Sequence, residues 1–272
     1  MQKGYYKKLS YEDKFDRKYA CWTHNHGGLL RFWRKAEEDK VPDISKNFEE
    51  YYTRESKISD VINDPAFGDY GRMIFPVDEG YYSGNTLEEL RLTWYTHIGP
   101  DKTVEIANYM KNHAENGDTV FYDIYTDEEK AAAPEKNDTG LFFFKGNAGE
   151  KFAVCNAGGG FAYVGAMQDS FPHALELSKK GYNAFALIYR PGAQTACEDL
   201  ARAISFIFEH AEELEVDTEN YSLWGGSAGA RMSAWLGSYG TEYFGGRELP
   251  PCPCGVPRNG DTEPLFNDGS VV

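Results

Sequence analysis

The chain has 272 residues and a net charge of -15, long enough for one large α/β domain or for a domain with a sizeable appendage. Its acidic balance, without any Lys/Arg-rich run to follow a phosphate backbone, argues against nucleic acid as a partner; no apolar run approaches ~18 residues and none follows the basic first residues, so neither a membrane span nor a signal peptide is expected and the chain reads as cytoplasmic. The five cysteines (Cys21, Cys155, Cys197, Cys252 and Cys254) are scattered and odd in number, which fits free thiols in a reducing compartment better than a disulfide framework.

Residues 1–117 read as an N-terminal extension. Aromatic residues stand among charges there, punctuated by Asp64-Pro65, Gly68, Gly71, Pro76 and Gly99-Pro100, and the segment is expected to be mainly helical. Two helices are predicted: residues 86–94, opened by Asn85 or Thr86, and residues 101–113, closed by Asn116-Gly117. The extension either packs against the edge of a larger unit or covers its cleft as a lid.

Residues 118–272 form that larger unit. DTVFYDIYTDE, TGLFFFKG and KFAVCNAGGG read as closely spaced strands. A helix over residues 169–180 follows, ended by Gly181, and then NAFALIYRP, a continuous apolar strand of the kind buried on both faces. Cys197, Leu200, Ala201, Ile204, Phe208 and Ala211 fall three and four residues apart on a helix running to about Leu214. YSLWGGS then supplies the next strand. Strand and helix alternating with crossovers of this length predict a doubly wound, mostly parallel α/β sheet.

At the end of that last strand, Gly225-Gly226-Ser227-Ala228-Gly229 has the form GxSxG. A nucleophilic serine on a sharp strand-to-helix turn needs a strained backbone and neighbours without side chains. Ser227 is the candidate nucleophile, and Gly225, Gly226 and Gly229 permit the elbow. Upstream, CNAGGGFAYVG follows a strand with three consecutive glycines. Acyl transfer needs main-chain N–H groups aimed at the carbonyl oxygen as it turns negative, and Gly159 and Gly160, joined by the N–H of Ala228, are candidates for that oxyanion hole. A dinucleotide fingerprint would require glycine where Tyr163 stands, and GxxxxGK[ST] is absent. No cofactor is called for. Cys21, His24 and His26 form C-x-x-H-x-H without a partner cluster, and Cys252-Pro-Cys254 lacks the two-residue gap, so no metal site is expected.

The run AGGGF, NAFALIYRPG, EDLARAISFI and GGSAGA over residues 118–240 resembles the α/β-hydrolase superfamily, in particular small-ester esterases of the acetyl- and feruloyl-esterase-like and hormone-sensitive-lipase-like groups. The resemblance implies a serine hydrolase that cleaves small carboxylic esters through an acyl-enzyme on Ser227, with Gly159, Gly160 and Ala228 holding the oxyanion. Where that family often has a histidine opening its glycine motif, this chain has Ala157.

The resemblance also implies an acid and then a histidine after the serine. All six histidines, His24, His26, His97, His113, His173 and His210, precede Ser227. The segment from Gly245 is dense in Pro, Gly and Cys and shows neither strand nor helix periodicity, so a truncated or frameshifted C-terminal part from about residue 245 is expected. Asp268, His173 and His210 are the remaining candidates for a relay, each with an ordinary structural reading beside it. The alternatives to an esterase are a binding protein that keeps the glycine-lined pocket without catalysis, or a fragment lacking its acid and histidine. Nothing in the sequence specifies the oligomeric state.

Overall fold

A computed structural model of the chain describes residues 49–95, 99–250 and 252. Cys21, His24, His26, His97, Cys254 and Asp268 therefore lie outside the described residues.

Within the described part of the extension, a short helix, α1 (Ile58–Ile62), is followed by a 3-10 stretch (Pro65–Met73) capped by the Asp64 side chain. The helix expected over residues 86–94 does not form. Instead β1 (Tyr82–Ser83) and β2 (Arg91–Leu92) pair as an antiparallel hairpin. Glu89 returns its carboxylate to the Asn85 N–H and its own N–H to Thr86 Oγ1, so the capping residues close a single turn. Beyond it, buried Leu90 and Leu92 alternate with exposed Arg91, which is a strand pattern. The second expected helix is present as α2 (Pro100–Glu115), with proline in the first turn where its missing N–H costs nothing.

In the larger unit, β3 (Phe121–Tyr122), α3 (Asp127–Ala132), β4 (Gly140–Phe144), β5 (Glu150–Asn156), α4 (Ser170–Lys179), β6 (Asn183–Ile188), α5 (Ala193–Glu209), β7 (Val216–Gly225) and α6 (Ala228–Tyr239) follow in order. The sheet runs β3-β4-β6-β5-β7. Strand β5 is parallel to both β6 and β7, whereas β4 is antiparallel to β6 and to β3. The expected mostly parallel sheet is thus present, with β5, β6 and β7 parallel and the antiparallel pair β3 and β4 at one edge. The reason for the antiparallel β4 lies in the link of residues 145–149, too short for a parallel crossover, which takes a dozen residues or more. Buried Asn183 clasps that link by accepting from the Gly146 N–H and donating to the carbonyls of Asn147 and Glu150.

Every residue of β4 and β6 is buried, so layers cover both faces of the sheet. Helix α5 packs against α6, and α4 against α2. Buried side chains of the extension, including Phe67, Leu87, Leu90 and Met110, belong to the same hydrophobic cluster as Phe142, Val154, Phe185 and Ile204 of the sheet and its helices. Lys102 of α2 adds an ion pair at 2.8 Å to Glu176 of α4. At the carboxyl end of β6, the Arg190 guanidinium and N–H both bind the fully buried Asp199 carboxylate, which fastens the start of α5 to the sheet.

Candidate active site

Two parallel neighbours, β5 and β7, end side by side with Asn156 in register with Gly225. Each strand's exit forms one half of the site. Asn156 joins them: its side-chain amide donates to the Trp224 carbonyl at 3.2 Å and to Ser233 Oγ of α6 at 2.9 Å.

At the exit of β7 the chain turns directly into α6 through Ser227, whose φ of 50° and ψ of -116° place a side-chain-bearing residue in a region that L-residues rarely occupy. A non-glycine residue held there stores backbone strain. A Cβ on Gly229 would lie 2.0 Å from the Asn156 carbonyl oxygen, and one on Gly225 would lie 2.3 Å from the Gly229 carbonyl carbon. Glycine at both positions is therefore a steric requirement of helix against strand. Ser227 itself is exposed, and no described residue hydrogen-bonds its hydroxyl.

At the exit of β5, the loop passes Ala157, whose carbonyl accepts a 2.8 Å bond from the buried Tyr189 hydroxyl. It then brings Gly158 against the serine, where a Cβ would come 3.0 Å from Ser227 Cβ. Gly159 follows at φ 138°, closing a turn in which its carbonyl accepts from the N–H groups of Ala162 and Tyr163. Among the described residues no acceptor takes the N–H of Gly159, Gly160 or Ala228. The Ala228 amide is one of the unpaired donors at the start of α6, the positive end of that helix.

Side chains whose part in the site sequence reasoning missed complete the surroundings. The Asp169 carboxylate, 6% exposed, accepts from the Gly158 N–H at 2.8 Å and from the Tyr95 hydroxyl at 2.9 Å. Burial, reinforced by that carboxylate, pushes the Tyr95 phenol well above its ordinary value and keeps it a donor. Trp94, 66% exposed and at φ 69°, lays its ring over Gly160, where a Cβ would come 3.0 Å from it. Tyr81 stacks on Tyr163 beside it, ring centroids 4.6 Å apart, and burial pushes the Tyr163 phenol up to about 12. No motif announces these residues. A non-glycine φ above zero and a partner 74 positions away are properties of the folded chain.

The histidines are accounted for differently. His173, on α4, donates from Nδ1 to the Asp169 carbonyl of its own helix and lines a small hollow beneath the elbow with Asn156, Trp224 and Gly225. His210, at the end of α5, pairs with Glu213, and His113 pairs with Asp118. None of the three meets Ser227. Beneath the site, burial drives the Cys155 thiol upward, so it stays protonated. Among the described residues no group of three His, Cys, Asp or Glu is placed to hold a metal ion, and no helix is long and apolar enough to cross a membrane.

Comparison with known proteins picks out the same stretch. The BD-FAE family matches residues 145–247. Solved structures similar to this chain include the apo form of esterase 2 from Thermogutta terrifontis, 26% identical over 37% of this chain and 41% of that one, TM-score 0.34. They also include an acetyl ester-xyloside bifunctional hydrolase from Caldicellulosiruptor lactoaceticus, 21% identical over 44% of this chain and 46% of that one, TM-score 0.38. Esterase B from Lactobacillus Rhamnosis is 17% identical over 49% of this chain and 44% of that one, TM-score 0.39. The chain thus spans less than half the length of each. No curated protein matches it. The matched residues, 145–247, carry the glycine loop, the elbow and α6, and in that stretch the chain is similar to the BD-FAE family.

Proposed function

We propose that the chain is a serine esterase for small carboxylic esters, with Ser227 as nucleophile. The observation that carries this reading is the strained, exposed serine between β7 and α6, beside three main-chain N–H groups, at Gly159, Gly160 and Ala228, that find no acceptor among the described residues. In the proposed reaction Ser227 Oγ attacks the ester carbonyl and loses its proton to a base. The three amides stabilise the tetrahedral oxyanion, the alcohol leaves with a proton, and water then releases the acid from the acyl-enzyme. Oxyanion donors of this kind are each worth roughly 3 kcal/mol of barrier in enzymes where one has been removed.

The base is the open role. The geometry of His173 and His210 supports a structural function for each, and the proposal takes the acid and base from groups outside the described residues or from a partner chain. A second reading, a binding protein that retains the pocket, is favoured by one observation: the Ser227 hydroxyl has no hydrogen-bond partner among the described residues. Labelling with a fluorophosphonate separates the two. Covalent labelling of the folded chain that disappears in Ser227→Ala supports an activated nucleophile, whereas a folded chain that stays unlabelled while binding a small ester supports the pocket alone.

A further inference from the structure

We infer that Asp169 is the positioning residue of the glycine loop, its carboxylate gripping the Gly158 amide and thereby setting the direction in which the Gly159 and Gly160 N–H groups face. The inference deepens the esterase reading and rests on it for its kinetic test.

The argument begins with what Asp169 does not do. It occupies the N-cap position of α4, where an aspartate ordinarily accepts from its own helix and contributes about 1 kcal/mol, yet its side chain makes no such bond. The carboxylate turns away instead, so that Oδ2 accepts both the Gly158 N–H and the Tyr95 hydroxyl. Burying a charged group is costly unless it is hydrogen-bonded, and Asp169 is among the buried residues. A helix cap has been forgone to hold a loop.

What it holds is the hinge between the two halves of the site. Gly158 is the residue packed against Ser227, and a Cβ on Gly226 would lie 2.5 Å from Asp169 Oδ2, so one carboxylate touches both the glycine loop and the elbow. The loop offers no other polar side chain for the task. Ala157 contributes only its carbonyl, taken by Tyr189, and residues 158–160 are glycines. Fixing the peptide plane before Gly158 leaves few ways for the next two amides to face, since charge-assisted bonds are short and directional. Tyr95 ties this carboxylate to the extension, and His173 Nδ1 lies 3.8 Å from its other oxygen.

The test uses the full chain, isotopically labelled, with Asp169→Ala and Asp169→Asn. Hydrogen exchange at the Gly158 amide is expected to speed up by roughly tenfold or more in Asp169→Ala, the loss of one bond to a charged acceptor, while Val154 and Leu187 in the sheet keep their protection. The second-order rate of fluorophosphonate labelling is expected to fall by roughly ten- to a hundredfold. Asp169→Asn retains an acceptor and is expected to recover part of both losses, which a general packing role would not produce. Should Asp169→Ala not fold, Asp169→Asn against the unsubstituted chain carries the comparison, with a smaller change of the same sign expected in each readout. Unchanged Gly158 exchange in a folded variant overturns the inference, as does unchanged labelling where the parent chain labels. If the parent chain does not label at all, the esterase reading fails, and Gly158 exchange still decides whether Asp169 holds the loop.

Discussion

The two walls of the candidate site differ in what builds them. One wall, from β5 and β7, is backbone: three amides without an acceptor among the described residues, glycines forced by contacts of 2.0 and 2.3 Å, and a serine held at positive φ. The other, from the extension and the start of α4, is side chains: Trp94, Tyr95, Asp169 and the Tyr81–Tyr163 stack. The first kind of wall tolerates almost no substitution because main-chain atoms cannot move aside. The second can be altered residue by residue, which is where the proposed esterase would adjust what it accepts.

Substitution in the backbone wall is expected to have the largest effects. Ser227→Ala removes labelling completely, and Ser227→Gly does the same while raising stability by about 1 to 2 kcal/mol, because glycine adopts φ 50° without strain. A thermal melt of Ser227→Gly that falls below the parent's would contradict strain at the elbow. Gly229→Ala places a methyl 2.0 Å from a carbonyl oxygen and is expected to cost about 3 kcal/mol, at the upper end for overpacking. Denaturant unfolding gives that number, and a cost below about 0.5 kcal/mol, the range of a neutral surface change, would mean that α6 sits farther from β5 than described.

The side-chain wall is expected to respond more gently. Tyr95→Phe keeps the ring on Gly165 but strips one donor from the Asp169 carboxylate, at about 1 to 3 kcal/mol for an under-satisfied buried acceptor. Trp94→Ala is expected to leave stability within about 0.5 kcal/mol, as for an exposed residue, while raising KM for ring-bearing esters more than for acetyl esters. Equal change for both would assign Trp94 to the surface alone.

This division also explains what the sequence made legible. GxSxG and AGGGF could be read because steric demands on a backbone turn are met by glycines within a few positions of the serine. NAFALI could be read because a strand covered on both faces is apolar throughout, and Tyr189 and Arg190 beyond it are buried as well. The hairpin over Tyr82–Leu92 was hidden by Thr86 and Glu89, whose capping pattern is satisfied by one isolated turn as well as by a helix. Asp169 was hidden for the converse reason. An aspartate just before a helix looks like a cap, and only its partners, Gly158 eleven residues back and Tyr95 seventy-four back, reveal otherwise.

The smallest expected effect tests how the extension is fastened. Half-buried at its base, Asp64 accepts from Lys111 Nζ of α2 at 2.6 Å and from the Tyr52 hydroxyl at 2.5 Å. Burial alone would raise its carboxyl, but these bonds and the Ala66 N–H together hold it below the usual carboxylate range. A group whose folded value is depressed contributes stability that is complete above its unfolded value, near ~3.9, and that is lost as pH falls through the folded one. Unfolding free energy should therefore decline on acidification below about pH 4, and Asp64→Asn should flatten that decline while lowering stability at neutral pH. Because the extension and the sheet share one hydrophobic cluster, the loss should appear as a lowered single transition, with Gly158 exchange rising only in proportion to global unfolding. An acid transition confined to the extension, with the sheet still protected, would show that the side-chain wall can detach while the backbone wall persists.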